Sequence, residues 1–268
     1  MVTKRFKVAV CISGQTRIWK TAVPSLLKFF SDIKADVYFF GHTWDTNSWR
    51  NGVTGEYIDE VCDAHKLRTE LLDRIPFTKL RIDSQLPYFN GSSNVVWGPM
   101  AKSLMYANYL KCEWEQEHDE KFDLVVRGRF DLVYHPDQRL QQFVDLNNIS
   151  PSKLYCQMTE MPQEQWLMAI DDTMYFGASH IMDIIDQFYR YLDTGQFYKL
   201  TRTSDFNPAF LNCGMGVLLY KWATLKNIGF IPKYIPTVIL RQRSANMIWP
   251  NDYKKMAEVY STFTTSQA

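Results

Sequence analysis

Near the middle of the chain, two arginines and a carboxylate stand at alternate positions, Arg127, Arg129 and Asp131, within residues 122–136 (FDLVVRGRFDLVYHP). They follow Leu124, Val125 and Val126, an apolar run of the kind found in strands covered on both faces. Side chains alternate along a strand, so the three odd-numbered residues are expected in a row on one face. Two guanidiniums and a carboxylate at the end of a buried strand are costly to leave idle. Two arrangements answer that cost. One is a self-satisfied Arg–Asp cluster closing the sheet edge. The other is a diphosphate and cation site, with Asp131 as metal ligand and the arginines facing phosphate.

Other residues could join such a site. Gly14 permits close backbone approach after the first apolar run. Gln15 and Thr16 can meet a base or ribose, and Arg17 can reach phosphate or simply start a helix in solvent. His42 and Trp44 are candidates to line a ring-shaped acceptor, with a core position the competing role for Trp44. Asp171 and Asp172 are adjacent, so in a strand only one can face a pocket. That one could act as general base or bind an acceptor hydroxyl, against a solvated turn. Trp97 belongs to a loop, residues 84–99, rich in Pro, Gly, Ser and Asn, which could cover a site. Arg241 closes a late strand and is a further cation for phosphate, or a surface charge.

Several chemistries find no support. There is no GxxxxGK[ST], no GxSxG, no HExxH and no Cys/His zinc spacing. Gly214-Met215-Gly216 lacks the strand-turn-helix context of a dinucleotide fingerprint.

These residues need elements to hold them. Lys7–Ser13 reads as a first, central parallel strand, followed by a helix with Val23, Leu26, Leu27 and Phe30 on one stripe. Asp36–Gly41 is the second strand, completing a βαβ unit. Ligands of such sheets bind beyond the carboxyl ends of the strands, where Gly14–Arg17 and His42–Asp45 fall. A polar loop over 47–55, a helix marked by Tyr57, Ile58, Val61, Cys62 and His65, and a strand over 78–82 follow. A long helix is expected over 100–118, with Ala101, Met105, Tyr109 and Cys112 on its stripe. Later come a strand over 153–158, a strand after the acidic pair ending near Ala178, and a helix with Ile181, Ile184, Ile185, Phe188 and Leu192. A helix over 208–221 and a strand over 234–240 complete the set. The expected class is α/β: a mostly parallel central sheet with helices on both faces. One domain spans 1–243, with a less regular C-terminal third, and 244–268 is an extension with a frayed tail.

The 268 residues are 46% hydrophobic and 15% aromatic, enough to bury a large core. A net charge of +1 gives no electrostatic case for nucleic acid or an anionic membrane as main partner. Five scattered cysteines without a CxxC pair fit reduced thiols in a cytoplasmic protein. No apolar run approaches the ~20 residues of a membrane span.

The succession Ile12-Ser13-Gly14-Gln15-Thr16-Arg17, then residues 36–44 (DVYFFGHTW), then residues 122–131 (FDLVVRGRFD) resembles a family of GT-A-type glycosyltransferases. These are predicted enzymes of bacterial surface-polysaccharide clusters and of viruses. The likeness spans roughly residues 6–241. It implies a GT-A, Rossmann-like fold and transfer of a sugar from a nucleotide-sugar donor to a saccharide or other hydroxyl acceptor. By the family pattern, Ser13, Gly14, Gln15, Arg17, Arg127, Arg129 and Arg241 face the nucleotide and diphosphate. Asp131 takes the place of the DxD metal motif, implying Mn2+ or Mg2+, and Asp172 matches a "D….g" segment before Gly177. Two departures stand out: Arg129 occupies the position of the first DxD aspartate, and a family "pE" segment is Pro208-Ala209 here. Both suit an alternative, a catalytically inert nucleotide- or sugar-binding or assembly protein with the same fold.

Overall fold

The computed structural model describes residues 5–17, 19–50, 57–84, 97–160, 168–193, 215–233, 235 and 237–239. In chain order the elements are β1 (Phe6–Ser13), α1 (Trp19–Phe30), β2 (Ala35–Trp44), β3 (Thr46–Arg50), β4 (Tyr57–Val61), α2 (Ala64–Arg74), β5 (Phe77–Asp83) and α3 (Trp97–His118). They continue with β6 (Leu124–Arg129), β7 (Leu132–Tyr134), β8 (Lys153–Glu160), β9 (Met168–Gly177), α4 (Ser179–Asp193), α5 (Met215–Leu225), β10 (Gly229–Pro232) and β11 (Thr237–Ile239).

Strand β1 sends Val8, Val10 and Ile12 into one core and Ala9 and Cys11 into the other. A strand apolar on both faces needs cover on both sides and neighbours on both edges. Accordingly β1 is central in a seven-stranded sheet of order β10-β8-β9-β6-β1-β2-β5, in which β9 alone runs antiparallel to its neighbours. Helices α1 and α2 supply the core on one face, and α3, α4 and α5 the core on the other. The expected α/β class, a mostly parallel sheet covered by helices on both faces, is what forms. The chain leaves β1 toward β2 and β5, then returns to pair β6 on the other flank of β1. The order therefore reverses between β1 and β6, and such a switch point opens a crevice at the carboxyl ends of its strands. Gly41 in β2 lets β5 approach, since a Cβ there would lie 2.5 Å from Cε1 of Phe77.

Several local expectations are corrected. Residues 122–136 do not form one strand: β6 ends at Arg129, Phe130 and Asp131 make a turn, and β7 leaves the sheet to pair with β11. The Tyr134 N–H bonds Ser25 Oγ at 3.0 Å and its ring stacks on Phe29, which anchors β7 to α1. The segment expected as a loop and then a helix is the antiparallel hairpin β3–β4. Apolar residues at 57, 58 and 61 imitate a helical stripe, but helix α2 starts only after Asp63 accepts the N–H groups of His65 and Lys66. Trp97 and Pro99, expected in a loop, open α3, where a first-turn proline leaves no hydrogen bond unmade. Helix α5 runs to Leu225, and residues 208–214 lie outside the described residues. Of the strand expected over 234–240, the described part is β11 (Thr237–Ile239), with 234, 236 and 240 outside the described residues, and an unexpected strand, β10 (Gly229–Pro232), precedes it and joins the main sheet. Residues 244–268 also lie outside the described residues.

Helix α3 departs furthest from its expected stripe. Tyr109 is 37% exposed, while Ser103, Asn108, Lys111 and Glu115 are buried. Lys111 Nζ bonds Asp183 Oδ1 at 2.7 Å, Ser179 Oγ at 2.8 Å and Glu115 Oε2 at 3.1 Å. Glu115 Oε1 also accepts the Ser179 hydroxyl at 2.6 Å and the Phe122 N–H at 3.2 Å. One ammonium thus ties α3 to α4 and to the entry of β6. Burial opposes its charge, yet Asp183 and Glu115 hold its pKa above the ordinary lysine value. The same residues bring Cys112, Glu115 and Asp183 within 4.8 Å of one another, a spacing that could hold a metal, but Lys111 already supplies the cation. Among the described residues no helix is long and apolar enough to cross a membrane.

Removing one partner of a buried ion pair leaves the other charge uncompensated. Lys111→Met is therefore expected to destabilise the protein by about 3–5 kcal/mol in urea unfolding. A loss below about 1 kcal/mol, the size of a surface pair, would contradict this role.

Candidate functional site

At the switch point, β1, β6 and β9 face α3 and α4 across a cavity. Its polar lining is Ser13, Asn108, Arg127, Tyr175 and Asp186. The cavity measures about 20 Å3, room for about one water-sized group. Arg127, on the odd-numbered face of β6, is 4% exposed. Its Nη1 donates to Tyr175 Oη at 3.1 Å, and its guanidinium lies 5.1 Å from the centre of that ring.

Arg129 and Asp131 behave differently. Because β6 ends at Arg129, Asp131 occupies the turn rather than the strand row. The Arg129 guanidinium grips both its carboxylate oxygens, Nε to Oδ1 at 2.7 Å and Nη2 to Oδ2 at 2.9 Å. This is a bidentate pair, with Asp131 buried and Arg129 half-buried. Of the three residues expected in one row, Arg127 faces the cavity while Arg129 and Asp131 close on each other. Mn2+ or Mg2+ at Asp131 would meet this pair: both carboxylate oxygens already face a guanidinium, a cation beside it is repelled, and among the described residues Asp131 belongs to no group of three or more possible ligands. The described donor set at Asp131 does not fit a divalent ion.

The loop after β1 is fixed from its backbone. Gly14 has φ +109°, a left-handed conformation that side chains rarely adopt, and its N–H donates to Ser103 Oγ at 2.8 Å. Arg17 Nε donates to Gln15 Oε1 at 2.8 Å, so two expected nucleotide ligands hold each other.

His42 and Trp44, expected on the acceptor surface, are both enclosed. His42 is 0% exposed, with Trp44 edge-on at 4.9 Å. His42 Nε2 faces Asp83 Oδ2 at 3.2 Å and Nδ1 lies 2.9 Å from Ser103 Oγ, whose hydroxyl also donates to the His42 carbonyl oxygen at 3.1 Å. Asp83 is gripped in turn by Arg81, whose guanidinium rests 4.1 Å from the Tyr106 ring centre. Serine, histidine and aspartate in such a chain make a hydrolytic triad when the serine is open to substrate. Here Ser103 is fully buried and already holds the Gly14 N–H, so the chain fixes the first loop. Burial pulls the His42 pKa down to about 4, against the opposing pull of Asp83.

Asp171 and Asp172 lie inside β9, not before it. Between the pairs Met158–Ile170 and Cys156–Tyr175, β8 advances two residues while β9 advances five. The extra residues, Asp171 and Asp172 among them, therefore bulge from the ladder, an irregularity frequent beside active sites. Trp97 is described as backbone in the first turn of α3. Arg241 lies outside the described residues.

Sequence reasoning missed Ser103, Asp83, Asn108, Tyr175 and Asp186. For Asp186 a signal exists: it lies four residues after Met182 and one after Ile185, a carboxyl on the buried stripe of α4. For Ser103 there is none, because its partners are 61 and 89 residues away.

No family profile matches this sequence, and no curated protein matches it. Among solved structures it is similar to a glycosyltransferase involved in glycosylation of the major capsid of PBCV-1, at 8% identity and TM-score 0.40, over 86% of this chain and 82% of that one. It is similar to the apo-form glycosyltransferase GlyE of Streptococcus pneumoniae TIGR4, at 12% identity and TM-score 0.38, over 85% of this chain and 45% of that one. A third likeness, at 9% identity and TM-score 0.43, is to a protein from Bacillus anthracis assigned as a glucose-1-phosphate thymidylyltransferase, over 88% and 89% of the two chains. Likenesses at this level carry no argument about activity.

The lowered His42 pKa fixes a pH dependence. Between about pH 4 and pH 6.5 the unfolded chain binds a proton that the folded imidazole does not. Stability supplied by neutral His42 is thus complete above pH 6.5 and drains as the pH falls toward 4, by on the order of 3 kcal/mol. The stability difference between the parent and His42→Gln should carry this slope. A difference that is flat across the window would contradict it.

Proposed function

We propose that this chain is a glycosyltransferase that moves a sugar from a nucleotide-diphosphate donor to a hydroxyl acceptor. Arg127 carries the proposal: a buried, permanently charged guanidinium faces a cavity shared with Ser13 at the carboxyl ends of β1 and β6, where the strand order reverses. A fixed guanidinium charge lining a cavity at that place suits an anionic ligand. The family resemblance of residues 12–17, 36–44 and 122–131 points the same way.

The donor would lie across the strand ends, its base toward Gly14–Arg17 and its diphosphate toward Arg127. During transfer the bond from the anomeric carbon to the phosphate oxygen breaks, and its electron pair passes to the diphosphate. The acceptor oxygen forms the new bond and gives up its proton. Arg127, held in place before reaction by Tyr175, would stabilise the leaving charge without reorganising. Arg129 would add positive charge if the donor opens its pair with Asp131. Asp172, or Asp171, in the bulge of β9 is the candidate to receive the acceptor proton.

A second proposal has its own observation. The closed Arg129–Asp131 pair is what an inert nucleotide-binding relative would keep. Hydrolysis of nucleotide sugars without acceptor separates the two, run with and without Mn2+ after a thermal-shift screen for the donor. A transferase should leak its sugar to water, and Arg127→Met should lower that rate by about 10^2–10^3-fold while the protein stays folded. Asp131→Asn, which loosens the grip on Arg129, should leave hydrolysis measurable. Unchanged turnover in Arg127→Met would end the proposal, and donor binding without any hydrolysis would favour the inert binder.

A further inference from the structure

Asp186 enters the switch-point cavity from α4, opposite Arg127, and is 8% exposed. The groups facing it come from every wall: Asp183 one turn earlier on its own helix, Lys111 on α3, Cys11 on β1, Arg127 on β6 and Tyr175 on β9. The nearer cation gives it little help, because Lys111 bonds Asp183 and Glu115 directly. Asp183 is held ionised by that ammonium, against the effect of its own burial. A second negative charge beside it, out of water, is disfavoured twice. Burial first, and then Asp183, push the Asp186 carboxyl well above the ordinary range, while Asn108, Lys111 and Arg127 oppose the shift.

The Arg127 guanidinium and the Ser13 hydroxyl also line the cavity and can donate, whereas the Asn108 amide nitrogen is already given to Asp183 Oδ1, Cys112 Sγ and Asp186 itself. An ionised Asp186 would be the one group there able only to accept, and it would repel an anion. Protonated, it becomes another donor, and the cavity suits a single anionic oxygen.

We propose that Asp186 carries its proton into the complex and donates a hydrogen bond to a phosphoryl oxygen of the donor, so that donor binding requires that proton. This rests on the nucleotide-sugar proposal and adds a ligand-binding residue and a proton dependence to it. One proton then links to binding. Affinity is full while Asp186 is protonated and falls by up to about tenfold per pH unit once the pH exceeds its pKa.

The test titrates the full chain with inorganic pyrophosphate and with UDP and GDP by calorimetry, from about pH 5 to about pH 9, comparing the parent with Asp186→Asn. Comparison at each pH cancels the ligand's own titration. The parent should lose affinity as the pH rises, whereas the asparagine variant, whose amide still donates, should retain it. Equal pH profiles in the two proteins would overturn the proposal and leave the donor reading intact. If neither protein binds any of the three ligands at any pH, the donor reading falls and takes this inference with it. A second measurement needs no ligand. Because the folded carboxyl titrates higher than the unfolded one, its stabilising share is full at low pH and drains as the pH rises through the folded value. The melting temperature of Asp186→Asn should therefore gain on the parent as the pH rises from about 4. A constant gap would overturn the proposal whatever the ligands do.

Discussion

A single buried ammonium sets the geometry on one face of this sheet. Lys111 meets Asp183, Ser179 and Glu115 within 3.1 Å, and Glu115 reaches on to the backbone just before β6. Two long helices and the entry to a central strand therefore share one electrostatic anchor. Such a cluster contributes little net stability compared with a well-packed apolar one, but it penalises any other register of α3 against α4. That register brings Asn108 of α3 and Asp186 of α4 to the same cavity as Arg127. The anchor also spends the charge of Lys111 on Glu115 and Asp183. The neighbouring carboxyl of Asp186 is left to resolve its burial by keeping a proton.

The opposite side of the crevice is held by hydrogen bonds of a different kind. Asp83, His42 and Ser103 form a chain from the end of β5, through β2, to α3, and the chain ends on the N–H of Gly14. These links fix the loop after β1 through its backbone, while Arg17 and Gln15 hold each other. The first loop and the cavity are thus positioned by two networks, both of which pass through α3.

Charge at the strand ends is consequently divided. Arg127 is buried and aimed inward, while Arg129 is spent on Asp131 at the crevice rim. A guanidinium offers fixed charge and a rigid fork, and suits phosphate without the coordination shell a metal would demand. Among the described residues, Arg127 and Arg129 supply fixed cationic charge at these strand ends.

The sheet was legible in the sequence because burial on both faces demands uninterrupted apolar runs, and Val8–Ile12 and Leu124–Val126 supply them. Their capping loops, and hence the end of the sheet where Ser13, Gly14 and Arg127 gather, followed from chain direction alone. Helices α1 and α4 were legible for the same kind of reason, a clean apolar stripe. Helix α3 was not, because its buried face carries Ser103, Asn108, Lys111 and Glu115, and periodicity cannot distinguish a buried polar residue from an exposed one. The division of labour among Arg127, Arg129 and Asp131 was also invisible. It depends on where β6 ends, and β7 is drawn away by contacts with Ser25, Phe29 and β11 that lie about a hundred residues distant along the chain. Sequence determined which residues could do chemistry and at which edge. Only tertiary structure decided which of them face one another, because long-range pairing, not local pattern, sets the partners of a buried charge.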